Sequence, residues 1–462
     1  MSARTDTAPR TRERIGAEER KVLAGTLAGT TIEWYDFFIY AQAAGLVLAP
    51  LFLAPVSQDA PGLATVLSLA TIGISFLFRP LGAIVAGRLG DRLGRKRMLV
   101  FTLVLMGAAT ALIGLLPTYE TIGVAAPALL ILLRILQGFS AGGEWGGAAL
   151  MSVEHAPLHR RGLFGAYPQI GVPIGMILAT GVLWALSTVT TPEQFQSWGW
   201  RIPFLFSVVL IVIGYLIRRA VEESPVFKEM QLRKKESSAP LRDLFRHNTR
   251  QVVLTALIFV ANNAAGYLLI AFFIAYATGT LEMPRASVLL ATTLASFGWL
   301  VFTMYGGALS DRIGRVRTFQ IGYALVFAWM IPLFLLIDTR NTWLYGLALF
   351  LLTIGLGLSY GPMSAMYAEM FPVSVRYSGV SIGYALGAIL GGAFAPMIAQ
   401  LLLQSTGWSG SVGLYTMALC VVSFVAVTVA GETRGNNLRV AEAHEQYLRE
   451  HPEAADELGR RA

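Results

Sequence analysis

Charged side chains are scarce in this sequence. Asp, Glu, Lys and Arg make up 14% of its 462 residues, whereas about 25% is usual in soluble proteins. Hydrophobic residues reach 55% even before the 47 glycines are counted. Because this small number of charges cannot cover a folded domain with a polar surface, the composition excludes a water-soluble globular protein. It predicts an integral membrane protein.

Residues that bind metals or perform covalent catalysis are also rare. The single cysteine, Cys420, lies in an apolar run, which excludes a disulfide framework and a cysteine metal cluster. His155 and His159 have helical spacing, but they flank Pro157 in a basic loop. The sequence contains no G-x-x-x-x-G-K-[ST] phosphate loop. We therefore expect no metal, no cofactor and no ATP-driven step, and a membrane-embedded enzyme or sensor stays a remote alternative.

Long uncharged runs divide the chain into twelve predicted spans. A spanning helix needs about 20 mainly apolar residues. The stretch 377–431 carries no charge and is long enough for two helices, which are joined by the turn-rich segment 405–411. The twelve spans are predicted near residues 22–50, 63–87, 98–117, 122–150, 162–188, 201–218, 251–280, 287–310, 317–337, 342–368, 377–404 and 411–430.

The basic residues predict the orientation of these spans. Of the 36 Lys and Arg residues, 31 fall in the tails and loops on the side of both termini, while the opposite loops hold only Arg201, Arg285 and Arg340. Since cytoplasmic loops carry the excess of Lys and Arg, both termini are predicted to be cytoplasmic. The net charge of +8 is thus a topology signal with anionic membrane lipids as partners, and nucleic acid is not expected.

The chain is built from two related halves. The string Gly87–Lys96 recurs 220 residues later as Gly307–Val316, and both copies follow the second span of their half. A second repeat lies after spans 4 and 10 and pairs Glu154, Pro157 and Arg161 with Glu369, Pro372 and Arg376. Two such halves around a central cavity are typical of an alternating-access transporter.

The repeats and the polar segments define the predicted domains. The long polar stretch between spans 6 and 7 separates two six-helix bundles. We predict a cytoplasmic tail at 1–21, a bundle at 22–218, a cytoplasmic linker at 219–250, a second bundle at 251–430 and a cytoplasmic tail at 431–462.

Two motifs carry a family resemblance. Gly87–Lys96 matches the G-x-L-x-D-R-x-G-R-K signature of the major facilitator superfamily at every fixed position, and Arg134–Gly138 matches its R-x-x-Q-G motif. The chain further resembles the metabolite–proton symporter branch of that superfamily, most of all the shikimate-transporter-like group, at Gly142–Ala149 and Pro168–Gly175. The resemblance implies an all-α fold of two pseudo-symmetric six-helix bundles. It also implies a monomer in the bacterial inner membrane that imports a small organic solute with protons.

Charged groups inside spans are costly and usually functional. Glu33 and Asp36, together with Tyr40, share one face of span 1 because their spacing is i, i+3 and i+7. A carboxyl group that is both desolvated and close to a cation can exchange a proton near neutral pH. We therefore predict that Asp36 and Glu33 couple transport to protons. The alternative is that they are structural anchors that pair with a basic residue or cap a backbone break.

Two arginines within spans predict an anionic partner. Arg79 and Arg134 cannot readily lose their charge, so each needs a negative group, which can be a substrate carboxylate or a protein carboxylate. The second half offers only neutral polar groups at this depth. The substrate-binding residues are predicted to be Arg79, Arg134, Gln137, Tyr40, Asn262, Asn263, Tyr267, Tyr360 and Tyr384.

The resemblance also implies a cytoplasmic latch, in which Asp91 bonds to neighbouring helix ends. The second copy of the motif is weaker, because Val316 replaces a basic residue. The predicted gating residues are Gly87, Asp91, Arg92, Gly94 and Arg95 in the first half, Asp311, Arg312 and Arg315 in the second half, and Glu144 near the cytoplasmic end of span 4.

These features favour proton-coupled symport of a small organic acid, with a shikimate-like carboxylate as the preferred solute. The main alternative is a proton-driven exporter of drugs or metabolites, although Gly171-Val-Pro173-Ile-Gly175 matches the exporter glycine–proline motif only in part. Since the sequence does not identify the solute, a dicarboxylate, a betaine and an aromatic acid stay open.

Overall fold

The protein is described by a computed structural model. It describes residues 17–53, 63–93, 95–142, 144–154, 156–220, 240–372 and 375–436. Almost all of these residues are helical, and no β-strand occurs among them. The all-α architecture follows from the membrane, because a spanning segment must satisfy its backbone hydrogen bonds internally.

Six helical segments form the first half. The fourth is interrupted after Ala141, where Gly142 separates its two parts. The bounds are α1 Ala17–Ala43, continued by a π-helix Ala44–Leu53; α2 Leu63–Leu93; α3 Arg95–Leu115; α4 Ala125–Ala141 and Glu144–Glu154; α5 Arg161–Val189; and α6 Arg201–Ala220.

Six further segments form the second half, after a short helix Pro240–His247. Their bounds are α7 Thr249–Tyr267, continued through π-helical turns to Thr280; α8 Arg285–Ile313; α9 Arg315–Ile337; α10 Thr342–Tyr360 and Met363–Met370; α11 Arg376–Ala388, continued through a π-helical turn to Ala395–Thr406; and α12 Gly410–Ala430.

These segments account for the twelve predicted spans. Among the described residues, nine helices are long and apolar enough to cross a membrane, and two bent pairs add two more. Val100–Leu115 is a shorter apolar helix and supplies the twelfth. The predicted twelve-helix fold is therefore confirmed.

The most extensive contacts between the two halves run along two helix pairs. α5 packs along α8, and α2 packs against α11. At the first crossing the backbones are so close that a Cβ atom on Gly162 would lie 2.4 Å from the carbonyl oxygen of Gly307. Glycine is needed there because any side chain would push the helices apart. This close crossing lies at the end of the bundle that the loop charges assign to the cytoplasm.

Candidate substrate-binding and proton-coupling site

A cavity lies between the two halves. Trp34 of α1 and Val172 of α5 line it from the first half, and α7, α8, α10 and α11 line it from the second. Its empty volume is about 250 Å³, but the centre of a water molecule can reach only about 10 Å³ of it, which is room for about one water. The cavity is thus narrow in this conformation. Its lining is Trp34, Val172, Phe259, Asn262, Asn263, Gly266, Tyr267, Ile270, Trp299, Tyr360 and Tyr384.

Five predicted substrate-binding residues are among these lining residues, and two of them are asparagines of α7. The Asn262 amide nitrogen donates to the Leu356 carbonyl oxygen at 2.9 Å and to the Ser359 hydroxyl at 2.8 Å. The Asn263 amide nitrogen donates to the Ala388 carbonyl oxygen at 3.1 Å. The asparagines therefore tie α7 to α10 and α11 beside the cavity.

Stacked aromatic rings form one wall of the cavity. Phe259 stacks on Tyr384 with ring centroids 4.7 Å apart and lies nearly parallel to Tyr360 at 6.3 Å. On its other face, Tyr384 stacks on Trp145 of α4 at 3.7 Å. The Trp145 indole nitrogen donates to the Gln169 side-chain oxygen at 2.8 Å. Because Trp145 belongs to the first half and Tyr384 to the second, the wall continues into a contact between the two halves.

Arg79 of α2 lies in a cage of aromatic rings. Its guanidinium carbon is 4.4 Å from the ring centroid of Phe76, 4.8 Å from that of Phe37 and 5.5 Å from that of Trp34. The residue is only 4% exposed. Ring faces stabilise a cation, yet its Nε has no hydrogen-bond partner, and no ion pair among the described residues includes it. Arg79 is thus a buried cation that can accept an anion.

Three further donors at the cavity also have no partner. They are the indole N–H groups of Trp34 and Trp299 and the hydroxyl group of Tyr267, none of which has a hydrogen-bond partner among the described residues. Each of these residues is at most 4% exposed. Because buried polar groups are normally hydrogen-bonded, such a cluster points to a ligand that is not part of the protein.

Arg134 of α4 is held by neutral groups. Its Nη1 donates to the Gln137 side-chain oxygen at 2.7 Å and its Nη2 to the Ser75 hydroxyl at 2.9 Å. Longer bonds of 3.3 and 3.4 Å run to the carbonyl oxygens of Thr71 and Ile72. In the described part of the chain no carboxylate pairs with Arg134. Its hydrogen-bonding capacity is therefore mostly used within the first half.

Tyr40 covers the Arg134 guanidinium from one side. The guanidinium carbon lies 3.8 Å from the centroid of the Tyr40 ring, and the Tyr40 hydroxyl group hydrogen-bonds to that of Thr71. Tyr40 and Gln137 are therefore direct partners of Arg134, and neither residue lines the cavity.

Asp36 is buried among hydrogen-bonding groups of the first half. The Ser207 hydroxyl of α6 donates to its Oδ1, whereas the nearby Thr110 hydroxyl of α3 donates to the Met106 carbonyl oxygen at 3.0 Å. The Gln137 amide nitrogen in turn donates to Thr110 Oγ1 at 2.7 Å. Thr110 is therefore linked to Arg134 through Gln137, and Asp36 and Arg134 form no ion pair in this conformation.

Glu33 lies one helical turn before Asp36 on α1 and is also buried. Its neighbour in the chain, Trp34, lines the cavity. Glu33 therefore lies on the part of α1 that borders the cavity, whereas the Asp36 carboxylate binds Ser207 of α6.

A latch closes the cytoplasmic end of the interface. The Asp311 carboxylate of α8 accepts hydrogen bonds from the backbone N–H groups of Gly162 at 2.8 Å and Leu163 at 2.9 Å, at the start of α5. Arg315 binds Asp311 at 2.7 Å and Glu369 at 3.2 Å. The predicted gating residues Asp311 and Arg315 thus come together, and Asp311 connects the two halves.

The residues after α12 add a strap to this latch, which we define as residues 432–436. The Glu432 carboxylate accepts a hydrogen bond from the backbone N–H of Arg315 at 2.9 Å. The Arg161 guanidinium, which belongs to the first half, donates to the Asn436 carbonyl oxygen at 2.7 Å. The strap therefore contacts both halves.

The other predicted gating residues have different positions. Arg312 is exposed, and only its carbonyl oxygen takes part, as the acceptor of a hydrogen bond from Arg434. Glu144 is buried at the break in α4. Gly94 lies outside the described residues, and the side chains of the remaining first-half candidates, Asp91, Arg92 and Arg95, and the surroundings of Gly87 lie outside what the structure describes.

Sequence reasoning missed several residues of this site. Trp34 and Trp299 line the cavity, and Thr110 and Ser207 contact Asp36. An indole in the middle of an apolar span, away from the membrane interfaces where tryptophan is enriched, is a signal that could have identified the two tryptophans. No sequence signal separates Thr110 and Ser207 from the many other hydroxyl residues in the spans.

Two helical bundles around an enclosed cavity, closed at one end by charged groups, define a transporter of the alternating-access type. The sequence profile of the Major Facilitator Superfamily matches residues 26–388. The chain belongs to this superfamily. Its relatives in the superfamily are transporters and not enzymes.

The inner membrane metabolite transport protein YhjE of Escherichia coli is 42% identical over 90% of this chain and 95% of its own. The shikimate transporter of Escherichia coli is 38% identical over 87% and 92%. Among solved structures, the proton:xylose symporter XylE has a TM-score of 0.74 at 17% identity, over 92% of this chain and 98% of its own. At this identity XylE shows the shared fold alone.

Proposed function

We propose that this protein imports a small organic acid together with protons across the bacterial inner membrane, with a hydroxylated, shikimate-like carboxylate as the favoured solute. The observation that carries the proposal is Arg79. It is a buried guanidinium beside the cavity between the halves, and it has no ion-pair partner among the described residues. An isolated buried cation is costly, and a carboxylate on the solute compensates it.

The two carboxyl groups of α1 supply the coupling in this proposal. Glu33 is next to Trp34 of the cavity wall, and a charged Glu33 would repel a solute anion, so protonation of Glu33 favours binding of that anion. Asp36 is buried and accepts a hydrogen bond from the Ser207 hydroxyl. Its protonation changes the charge inside the first half, which also holds Arg134 and its partner Gln137. Each binding event thus brings solute and proton together.

Alternation between the two sides follows from the contacts at both ends. The latch around Asp311 holds the cytoplasmic end closed. At the opposite end, the Arg285 guanidinium lies 4.6 Å over the ring of Phe195 from the other half. Opening one end while the other stays closed exposes the cavity to one side at a time.

Uptake into proteoliposomes tests this function. We expect labelled shikimate, or another hydroxylated acid from a panel of organic acids, to accumulate when the outside is made acidic, and a protonophore to abolish the accumulation. The Arg79→Gln variant should lose uptake, while Tyr305→Phe, on the exposed surface of α8, should retain it. Uptake that ignores the pH gradient would contradict proton coupling, and solute efflux driven by the same gradient would indicate an exporter.

A further inference from the structure

The three unpartnered donors at the cavity share one chemical property. The Trp34 and Trp299 indoles can only donate a hydrogen bond, and the Tyr267 hydroxyl has no acceptor for its proton. All three residues line the same cavity from both halves, since Trp34 is on α1, Tyr267 on α7 and Trp299 on α8. A ligand that satisfies them must present hydrogen-bond acceptors.

The position of Arg79 indicates that this ligand carries a negative charge. Its guanidinium carbon is 5.5 Å from the ring of Trp34 and 4.4 Å from that of Phe76, which in turn lies 5.1 Å from the ring of Tyr267. A carboxylate that pairs with Arg79 therefore leaves the rest of the solute among the three donors. A quaternary ammonium group offers no acceptor and would leave these donors unsatisfied in a buried site, which is unfavourable.

We infer that Trp34, Tyr267 and Trp299 determine specificity by selecting carboxylates that carry several oxygen acceptors on a compact body. This inference rests on the proposed function, in which Arg79 binds the carboxylate. Buried donors reject an analogue that lacks the matching oxygen more strongly than an apolar pocket rejects an extra hydroxyl group. The three residues therefore discriminate hydroxylated acids from their deoxy analogues.

Equilibrium binding to the purified, detergent-solubilised full chain tests the inference. The probes are shikimate, cyclohex-1-ene-1-carboxylate, which has the same carboxylate and ring without hydroxyl groups, and glycine betaine, all measured by calorimetry. The variants Trp34→Phe, Trp299→Phe and Tyr267→Phe each remove one donor and keep a ring. Trp343→Phe and Tyr305→Phe are matched controls at exposed positions.

We expect the wild type to prefer shikimate over its deoxy analogue by roughly 100-fold or more. Each donor variant should weaken shikimate binding by roughly 5- to 100-fold and leave the deoxy analogue unchanged, so the preference shrinks. Equal losses for both ligands would show a structural role and overturn the inference. It would also be overturned by an unchanged preference in all three variants, by tighter binding of betaine, or by absence of any preference in the wild type.

The outcome is separable from the proposed function. Binding is measured without a membrane or a proton gradient, so a failure of proton-driven uptake in proteoliposomes leaves the binding preference intact. A lost preference with intact proton-driven uptake would overturn only the role of the three donors.

Discussion

Trp145 of α4 stacks on Tyr384 of α11 with ring centroids 3.7 Å apart and an interplanar angle of 10°. One ring belongs to each half of the molecule, and Tyr384 also lines the cavity. The stack therefore joins the halves at the cavity wall and opposes their separation. Movement of Tyr384 when the cavity changes would alter this contact directly.

Removing this stack should favour opening of the cavity. Aromatic pairs contribute about 0.5–1.5 kcal/mol beyond the area that they bury, so Trp145→Ala should raise the open population about 2- to 10-fold. In a Cys420→Ser background, the labelling rate of Asn262→Cys by a maleimide reports this opening. Trp343→Ala, at a position that is 86% exposed, is the control. An unchanged labelling rate would show that the stack does not restrain the halves.

The two intramembrane arginines should respond differently to substitution. Arg79 lacks an ion-pair partner, so Arg79→Gln should weaken binding of a carboxylate solute by about 100-fold. Arg79→Lys should recover little, because an ammonium lacks the planar fork of the guanidinium. Arg134 is already satisfied by neutral groups, so Arg134→Gln should lower stability more than affinity.

Calorimetric binding and denaturant titration on the same preparations measure both effects of the arginine substitutions. An Arg134→Gln protein that is stable but fails to bind, beside an Arg79→Gln protein that binds normally, would reverse the assignment.

The pH dependence of solute uptake should require Asp36. Asp36→Asn keeps an acceptor for the Ser207 hydroxyl but cannot exchange a proton, so it should bind solute and lose accumulation against a gradient. Wild-type uptake should rise as the outside pH falls below the inside pH, while uptake by Asp36→Asn should be flat over the same range. Ser207→Ala keeps the carboxyl group and should retain the pH dependence. Uphill uptake by Asp36→Asn at the wild-type level would exclude Asp36 from coupling.

The latch should contribute to stability through its buried ion pairs. Arg315 is 1% exposed at its side chain and pairs with both Glu369 and Asp311. Glu369→Gln removes one of these charges, so the free energy of unfolding should fall by roughly 2–3 kcal/mol, less than the loss for a fully unpaired charge because Asp311 remains.

A more exposed pair in the same region serves as the comparison. Glu154 pairs with Arg376 at 3.3 Å, and its side chain is 26% exposed. Water reaches this carboxylate, and Arg376 keeps a hydrogen bond to the Phe371 carbonyl oxygen, so Glu154→Gln should lower the free energy of unfolding by less than Glu369→Gln does. Denaturant titration in micelles measures the free energy of unfolding of both variants. Equal decreases for Glu369→Gln and Glu154→Gln would show that burial of the Arg315 pair does not determine its contribution to stability.

Much of the fold follows from the sequence because a membrane leaves few choices. Runs of apolar residues set the spans, and loop arginines such as Arg160 and Arg161 indicate their orientation. The interruptions of α7 between Tyr267 and Thr280 were not predicted. They depend on how α7 packs against its neighbours, and hydrophobicity alone does not report this.

The site was predictable in its residue types more than in its pairings. Arg79, Tyr267 and Tyr384 are polar groups at membrane depth, which marks them in the sequence. The contact of Asp36 with Ser207 joins residues 171 positions apart. Such a contact is set by the packing of α1 against α6, so it appears only in three dimensions. The same holds for the neutral surroundings of Arg134.

The strap of residues 432–436 has a consequence for biosynthesis. It follows the last membrane helix, so these residues leave the ribosome after everything that they hold together. Until then the Glu369 carboxylate lacks the hydrogen bond that the Thr433 hydroxyl donates to it. The backbone N–H groups at the start of α9 likewise lack their acceptor, the Glu432 carboxylate. A nascent chain that stalls before α12 therefore exposes an unfinished polar surface at the membrane, because the latch gains its strap only after the last membrane helix has been made.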